Sequence, residues 1–267
     1  MSRDALCVGY APVNGLRMYY EIHGAGRPLV MLHGSFMSVE LMGALVPELA
    51  KNRQLIAVEF QGHGHTGDID RPITYEHLAD DTAALLRHLQ FDSADVFGYS
   101  LGGGTALQLG IRHPEVVRKL VVASAAYGTA GLHPEAFPAF EQLAPEMFDG
   151  PWREAYNRVA PNVDAFPTLV AKLKRLHTTP YNWPADDIRS IEAPTLIVAG
   201  DSDGARPEHT VSLFQLLGGG VFGDLVGLPS SQLAILPGTT HVGLLERATW
   251  LAPMISEFLD APMPESA

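Results

Sequence analysis

Short unbroken apolar runs alternate with amphipathic stretches of helical length through most of this 267-residue chain, and that alternation most limits its fold. The runs fall at 29–32, 55–60, 94–99, 119–123, 194–199 and 232–236. A run of this length between turn-forming residues has the form of a strand buried on both faces. Between the runs, 39–51, 75–90, 101–113, 207–217 and 247–259 have helical length. In 75–90, Leu78, Ala79, Thr82, Leu85, Leu86 and Leu89 recur at spacings of three and four, opposite Glu76, Asp80, Asp81, Arg87 and His88. Pro207-Glu208 opens one helix and Pro114 closes another. Strands and helices in this order predict an α/β fold, a mainly parallel sheet covered by helices on both faces. Asn14-Gly15, between alternating segments 8–13 and 16–23, predicts an antiparallel hairpin at one edge.

Composition narrows the partners. The chain is 46% hydrophobic and 18% charged, enough apolar surface for a full core and too little charge for disorder. A net charge of −12 repels phosphate backbones and anionic lipid alike, so neither nucleic acid nor a membrane surface is expected as a partner. Cys7 is the only cysteine, which excludes an intramolecular disulfide and a cysteine-based zinc site. The opening Met1-Ser2-Arg3-Asp4-Ala5-Leu6 has an early acid and no sustained apolar stretch after it, unlike a signal peptide or membrane span. The expectation is a soluble, cytoplasmic protein.

One stretch breaks the alternation. Residues 128–193 contain no convincing strand, only short helix-like pieces rich in proline and aromatics, Trp152 and Trp183 among them. This divides the chain into a core of 1–127 and 194–267 and an inserted helical cap of 128–193. A cap over the carboxyl edge of the sheet would roof the place where open α/β sheets bind ligands. A second helical core without a pocket is the competing reading.

Gly98-Tyr99-Ser100-Leu101-Gly102 joins the run 94–99 to the helix 101–113. A serine on a sharp strand-to-helix turn is pushed out of the sheet, and glycines on both flanks relieve the resulting crowding. The helix N-terminus behind it offers free N–H groups to a developing oxyanion.

With this turn the chain resembles the α/β-hydrolases, in particular the small esterases, lactonases and cofactor-free haloperoxidases. The resemblance extends from Tyr19 to Leu259 and rests on further motifs. They are His33-Gly34-Ser35-Phe36, Gln61-Gly62-His63-Gly64-His65-Thr66, Ala199-Gly200-Asp201-Ser202-Asp203 and Pro237-Gly238-Thr239-Thr240-His241. It implies a nucleophile–acid–base order, supplied here as Ser100, Asp203 and His241. Asp203 stands three residues after Gly200, as the family pattern asks; Asp201 is the competing carboxylate and is expected to cap the turn. The resemblance also implies oxyanion donors at the backbone N–H groups of Ser35 and Leu101. Phe36, Met37, Tyr99, Leu101 and Val242 are pocket candidates because each adjoins one of these residues, and Trp152 and Trp183 because they belong to the cap.

Other motifs are given no chemistry. Gly62–Gly67 and Gly218–Gly223 fit G-x-G-x-x-G, but the first does not open a helix and the second follows one. His63, His65, Asp68 and Asp70 could be taken for a metal cluster, yet the family turn already accounts for the histidines. No cofactor and no metal is expected. Residues 218–229 form a glycine-rich surface extension, and nothing in the sequence fixes an oligomeric state. The function expected is hydrolysis of a small, fairly apolar ester or lactone through an acyl-enzyme. C–C bond hydrolysis and perhydrolysis use the same triad and stay open, as does a non-catalytic ligand-binding member of the fold.

Overall fold

The structure, a computed structural model, describes residues 7–264, so the opening hexapeptide read above lies outside the described residues. Eight strands form one sheet: β1 (Cys7–Val13), β2 (Leu16–His23), β3 (Arg27–Leu32), β4 (Arg53–Val58), β5 (Ala94–Tyr99), β6 (Val117–Ala123), β7 (Thr195–Ser202) and β8 (Gln232–Thr240). Their order is β1-β2-β4-β3-β5-β6-β7-β8. β2 pairs antiparallel with both β1 and β4, and every other pairing is parallel. The edge hairpin turns at Asn14 and Gly15, both at positive φ, as a two-residue turn between twisted strands requires.

The helices are α1 (Leu45–Leu49), α2 (Tyr75–His88), α3 (Leu101–Arg112), α4 (Ala136–Gln142), α5 (Pro151–Val159), α6 (Phe166–Thr178), α7 (Ala185–Arg189), α8 (Pro207–Leu216), α9 (Gly223–Val226) and α10 (Ala248–Asp260). The continuous apolar runs become strands whose alternate side chains feed two cores, as a pleat of period two demands. Val30, Leu32, Ile56, Val58, Val96 and Val122 pack with α2 and α3 through Leu78, Leu85, Leu107 and Leu109. Leu29, Met31, Leu55, Ala57, Phe97 and Val121 pack with α1 and α10 through Val46, Leu49, Leu251 and Ile255.

The segment expected as one helix over 39–51 is instead a 3₁₀ turn, Val39–Met42, followed by the short α1. Gly43 separates them at φ 62, a break in any right-handed helix. Pro47 then fits only in the first turn of a helix, where its missing N–H costs no bond. The extension 218–229 contains the short α9, with Leu225 and Leu228 turned to solvent.

At the amino ends of the strands, buried Arg53 and Lys119 hold the last turn of α10. Lys119 Nζ donates to the Phe258 and Ala261 carbonyls at 2.8 and 2.6 Å, Arg118 donates to Leu259 O at 2.8 Å, and Arg53 pairs with Asp260. Cations at a helix C-terminus meet both its free carbonyls and its negative dipole end. The carboxyl ends of β3, β5, β7 and β8 are thereby left for chemistry. Segment 128–193 contributes α4 to α7; the isolated bridge of Gly128 with Asn182 joins its two ends, and that of Leu132 with Ala205 ties it to the body. Among the described residues no helix is long and apolar enough to cross a membrane.

Candidate active site

Ser100 stands between β5 and α3 at φ 55 and ψ −113, a conformation that holds its side chain clear of the sheet. The flanking glycines are required by contact. A Cβ on Gly98 would lie 2.1 Å from Gly102 O, and one on Gly102 would lie 2.2 Å from Leu32 O. Larger residues there would force the strand, the elbow and β3 apart.

His241, which follows β8, reaches Ser100 Oγ with Nε2 at 2.9 Å and Asp203 Oδ1 with Nδ1 at 2.7 Å. Asp203 is buried and also accepts from Ser124 Oγ, from Gly200 N at 3.2 Å and from Ala205 N at 3.2 Å. Burial pushes this carboxyl up, but the His241 ring, the Ser124 hydroxyl and the Ala205 N–H outweigh it and hold it below the usual carboxylate range. A carboxylate thus faces one imidazole nitrogen and a hydroxyl the other. That arrangement can fix the ring tautomer and let Nε2 take a proton from the hydroxyl.

The competing carboxylate has a different task. Asp201 lies on the surface and accepts from Gly238 N at 2.9 Å and Thr239 N at 3.1 Å, bonds that hold its carboxyl below the usual range. It ties β7 to the strand end that carries His241. The Tyr99 hydroxyl steadies the same point, donating to His241 O at 2.9 Å.

A cavity of about 340 Å³ opens over Ser100 and His241. Ser35, Phe36, Met37, Tyr99, Leu101 and Trp152 line it, as do Phe140, Leu143, Phe148 and His177 from segment 128–193. Leu101 is the first residue of α3, so its N–H has no partner within the helix.

Two pocket expectations are corrected. Val242 begins the turn Val242–Arg247, is 58% exposed and does not line the cavity. Trp183 is buried, but packs edge-on against Tyr75 at 5.4 Å and lines an adjoining cavity of about 270 Å³. Adjacency in sequence does not set the face a side chain takes: in the 3₁₀ turn that begins at Val242 each residue is rotated by about 120° from the last.

Sequence reasoning missed two polar residues. Ser124 stands at φ 54 directly after β6, and its hydroxyl anchors Asp203. His177 on α6 puts Nε2 2.9 Å from Ser35 Oγ and stacks on Phe140 at 4.8 Å. No periodic or motif signal marks it.

The loops below are held by buried neutral histidines. His33 Nδ1 donates to Gly34 O at 2.7 Å while Nε2 accepts from Phe60 N at 3.1 Å. His63 Nδ1 sits on Gln61 O at 2.9 Å, and the two rings are 5.0 Å apart. His65 turns elsewhere, to Glu59 at 2.9 Å and onto the Tyr19 ring, while Asp68 pairs with Lys172. Burial, with His63 nearby, lowers His33 to about 3, and burial lowers His63 to about 4. In the unfolded chain both titrate near 6.5, so below that pH the unfolded state gains protons that the native state refuses. Stability from these two groups is complete above about pH 6.5 and is lost as pH falls toward 4. At about 1.4 kcal/mol per proton per pH unit, the pair is expected to remove roughly 5 kcal/mol by about pH 4.5. Urea denaturation at neutral pH and at about pH 4.5 reads this directly; equal midpoints would contradict it.

The chain is similar to known proteins over most of its length. A 2-hydroxymuconate semialdehyde hydrolase of Pseudomonas sp. (strain CF600) is 39% identical over 136 residues, covering 48% of this chain and 44% of that one. A 2-hydroxy-6-oxo-2,4-heptadienoate hydrolase of Pseudomonas putida is 29% identical over 266 residues, covering 89% of this chain and 91% of the relative. The enol-lactonase of Burkholderia xenovorans LB400 superposes with a TM-score of 0.73 at 20% identity, covering 94% of this chain and all of that one, a likeness of fold. The sequence profile of the Alpha/beta hydrolase family matches residues 29–254, and with the sheet order and the strand-to-helix elbow described above, the chain belongs to that family.

Proposed function

We propose that this protein is a serine hydrolase acting on small, uncharged carboxylic esters or lactones, with Ser100 as nucleophile, His241 as general base and acid, and Asp203 as the group that orients it. The observation that carries the reading is the hydrogen-bonded series Ser100–His241–Asp203 opening onto a cavity walled by aromatic and aliphatic side chains. Ser100 Oγ attacks the carbonyl carbon as its proton passes to His241 Nε2. The backbone N–H groups of Ser35 and Leu101 stabilise the oxyanion. The proton then goes to the departing alkoxide, and water cleaves the acyl-enzyme by the same route. Segment 128–193 acts as the cap, supplying Phe140, Phe148, Trp152 and His177 to the wall.

The wall also bears on the bond cleaved. By their names the two relatives described above hydrolyse a hydroxymuconate semialdehyde and an oxoheptadienoate, and a muconate or dienoate is a carboxylate. Among the described residues no lysine or arginine lines this cavity. An anionic substrate entering it would lose its water with no cation to replace it. This favours a neutral ester over a dienoate.

The test compares kcat/KM for p-nitrophenyl butyrate with that for the p-nitrophenyl monoester of succinic acid, which adds one terminal carboxylate. A preference of about 10²-fold or more for the neutral ester is expected, from a desolvation cost of several kcal/mol. Preference for the anionic ester, or efficient turnover of a dienoate with no turnover of neutral esters, would overturn the reading.

A further inference from the structure

The wall of the cavity holds one polar pair that the mechanism above does not use. Ser35 Oγ and His177 Nε2 are 2.9 Å apart, joining the loop after β3 to α6. Three other hydroxyls along the wall are committed. Ser124 is spent on Asp203, Tyr99 on the His241 carbonyl and Tyr181 on Ala126 O, while the Tyr75 ring packs against that of Tyr181 at 5.3 Å. The Ser35–His177 pair has capacity left. A hydroxyl donates once and accepts twice, and only one of those bonds is made to His177. The second ring nitrogen of His177 has no hydrogen-bond partner among the described residues.

The pair is uncharged. Burial, with the neighbouring His241, lowers His177 to about 4, so near neutral pH the imidazole carries one donor and one acceptor nitrogen. The ring is fixed by its stack on Phe140, at 4.8 Å and 19° between planes. In an apolar pocket, a few placed polar groups are what set orientation and choice of ligand. Ser35 also carries the backbone N–H assigned to the oxyanion. A substrate oxygen reaching its side chain therefore lies only two or three bonds from the scissile carbon.

We propose that Ser35 and His177 form a recognition pole for a second, uncharged oxygen of the substrate, a hydroxyl or keto group on the second or third carbon of the acyl chain. The inference rests on the serine-hydrolase reading and names its substrate class: hydroxyacyl or oxoacyl esters, and lactones that carry such an oxygen. Both residues touch the substrate and neither takes part in bond making. With a plain acyl chain the pair would keep its internal bond and face only hydrocarbon.

The experiment measures kcat/KM of the full chain on p-nitrophenyl butyrate and on p-nitrophenyl 3-hydroxybutyrate, esters that differ by one hydroxyl. The wild type is expected to favour the hydroxylated ester by about tenfold, the worth of one well-placed hydrogen bond. The ratio should fall to about one in Ser35→Ala and in His177→Phe, which keeps the stack on Phe140 but removes Nε2. His177→Gln, which restores a donor and an acceptor, should recover part of the preference. A tie that merely holds the cap in place would change both rates together and leave the ratio unmoved, and that result would overturn the proposal. Should His177→Phe fail to fold, Ser35→Ala alone decides. Absence of turnover on both esters in the wild type would overturn the serine-hydrolase reading, and this inference with it.

Discussion

Replacing Ser100 by alanine is expected to lower ester turnover by about 10⁴-fold or more, a loss of roughly 5 kcal/mol in transition-state stabilisation. The size follows from what the substitution leaves. His241 keeps its carboxylate partner and the proposed oxyanion donors are backbone groups, so water attacking directly inherits only part of the machinery. The fold should hardly notice. Serine already carries a Cβ at φ 55, so alanine adds no backbone strain, and the removed oxygen bonds only the His241 ring. A thermal melt should therefore match the wild type while covalent labelling by a fluorophosphonate disappears. A variant retaining more than a tenth of wild-type turnover would remove Ser100 from the mechanism.

The second large effect separates the two carboxylates of the β7 loop. Asp203→Asn is expected to cost about 10³–10⁴-fold in turnover, because an amide facing Nδ1 no longer selects the tautomer that leaves Nε2 free to accept the Ser100 proton. The amide must also satisfy the Ser124 hydroxyl and the Gly200 and Ala205 N–H groups, so one of these contacts is lost or reversed. Asp201→Asn keeps a carbonyl oxygen for Gly238 or Thr239 and stands at the surface. Its turnover should stay within about tenfold of wild type, since the geometry at Nδ1 is untouched. Steady-state kinetics on both variants, with circular dichroism to establish folding, gives the answer. If the phenotypes were exchanged, Asp201 would be the orienting acid and the site would have to be redrawn around the surface loop.

The strands were legible because β3, β5 and β6 are buried on both faces and so read as unbroken apolar runs. The elbow was legible for a similar reason: steric demand at Gly98 and Gly102 leaves almost no choice of residue, so the turn shows in the letters. The helix expected over 39–51 failed where local geometry overrode length, at Gly43 and Pro47. Asp203 was separable from Asp201 by family spacing alone. Its anchoring by Ser124, 79 residues away, was not.

The sequence by itself determined the α/β class, the edge hairpin, the position of the elbow and the break in alternation at 128–193, all of which depend on side-chain size and polarity at fixed local spacing. Only the tertiary structure decided what lines the cavity. Val242 and Trp183, chosen by sequence neighbourhood and by residue type, face solvent and an adjoining space. His177, 142 positions from Ser35, comes to lie against it. Such contacts are made when a helical segment with no periodic partner folds back over a sheet edge. The angle of that return is set by packing between surfaces far apart in the chain, and no local pattern records it.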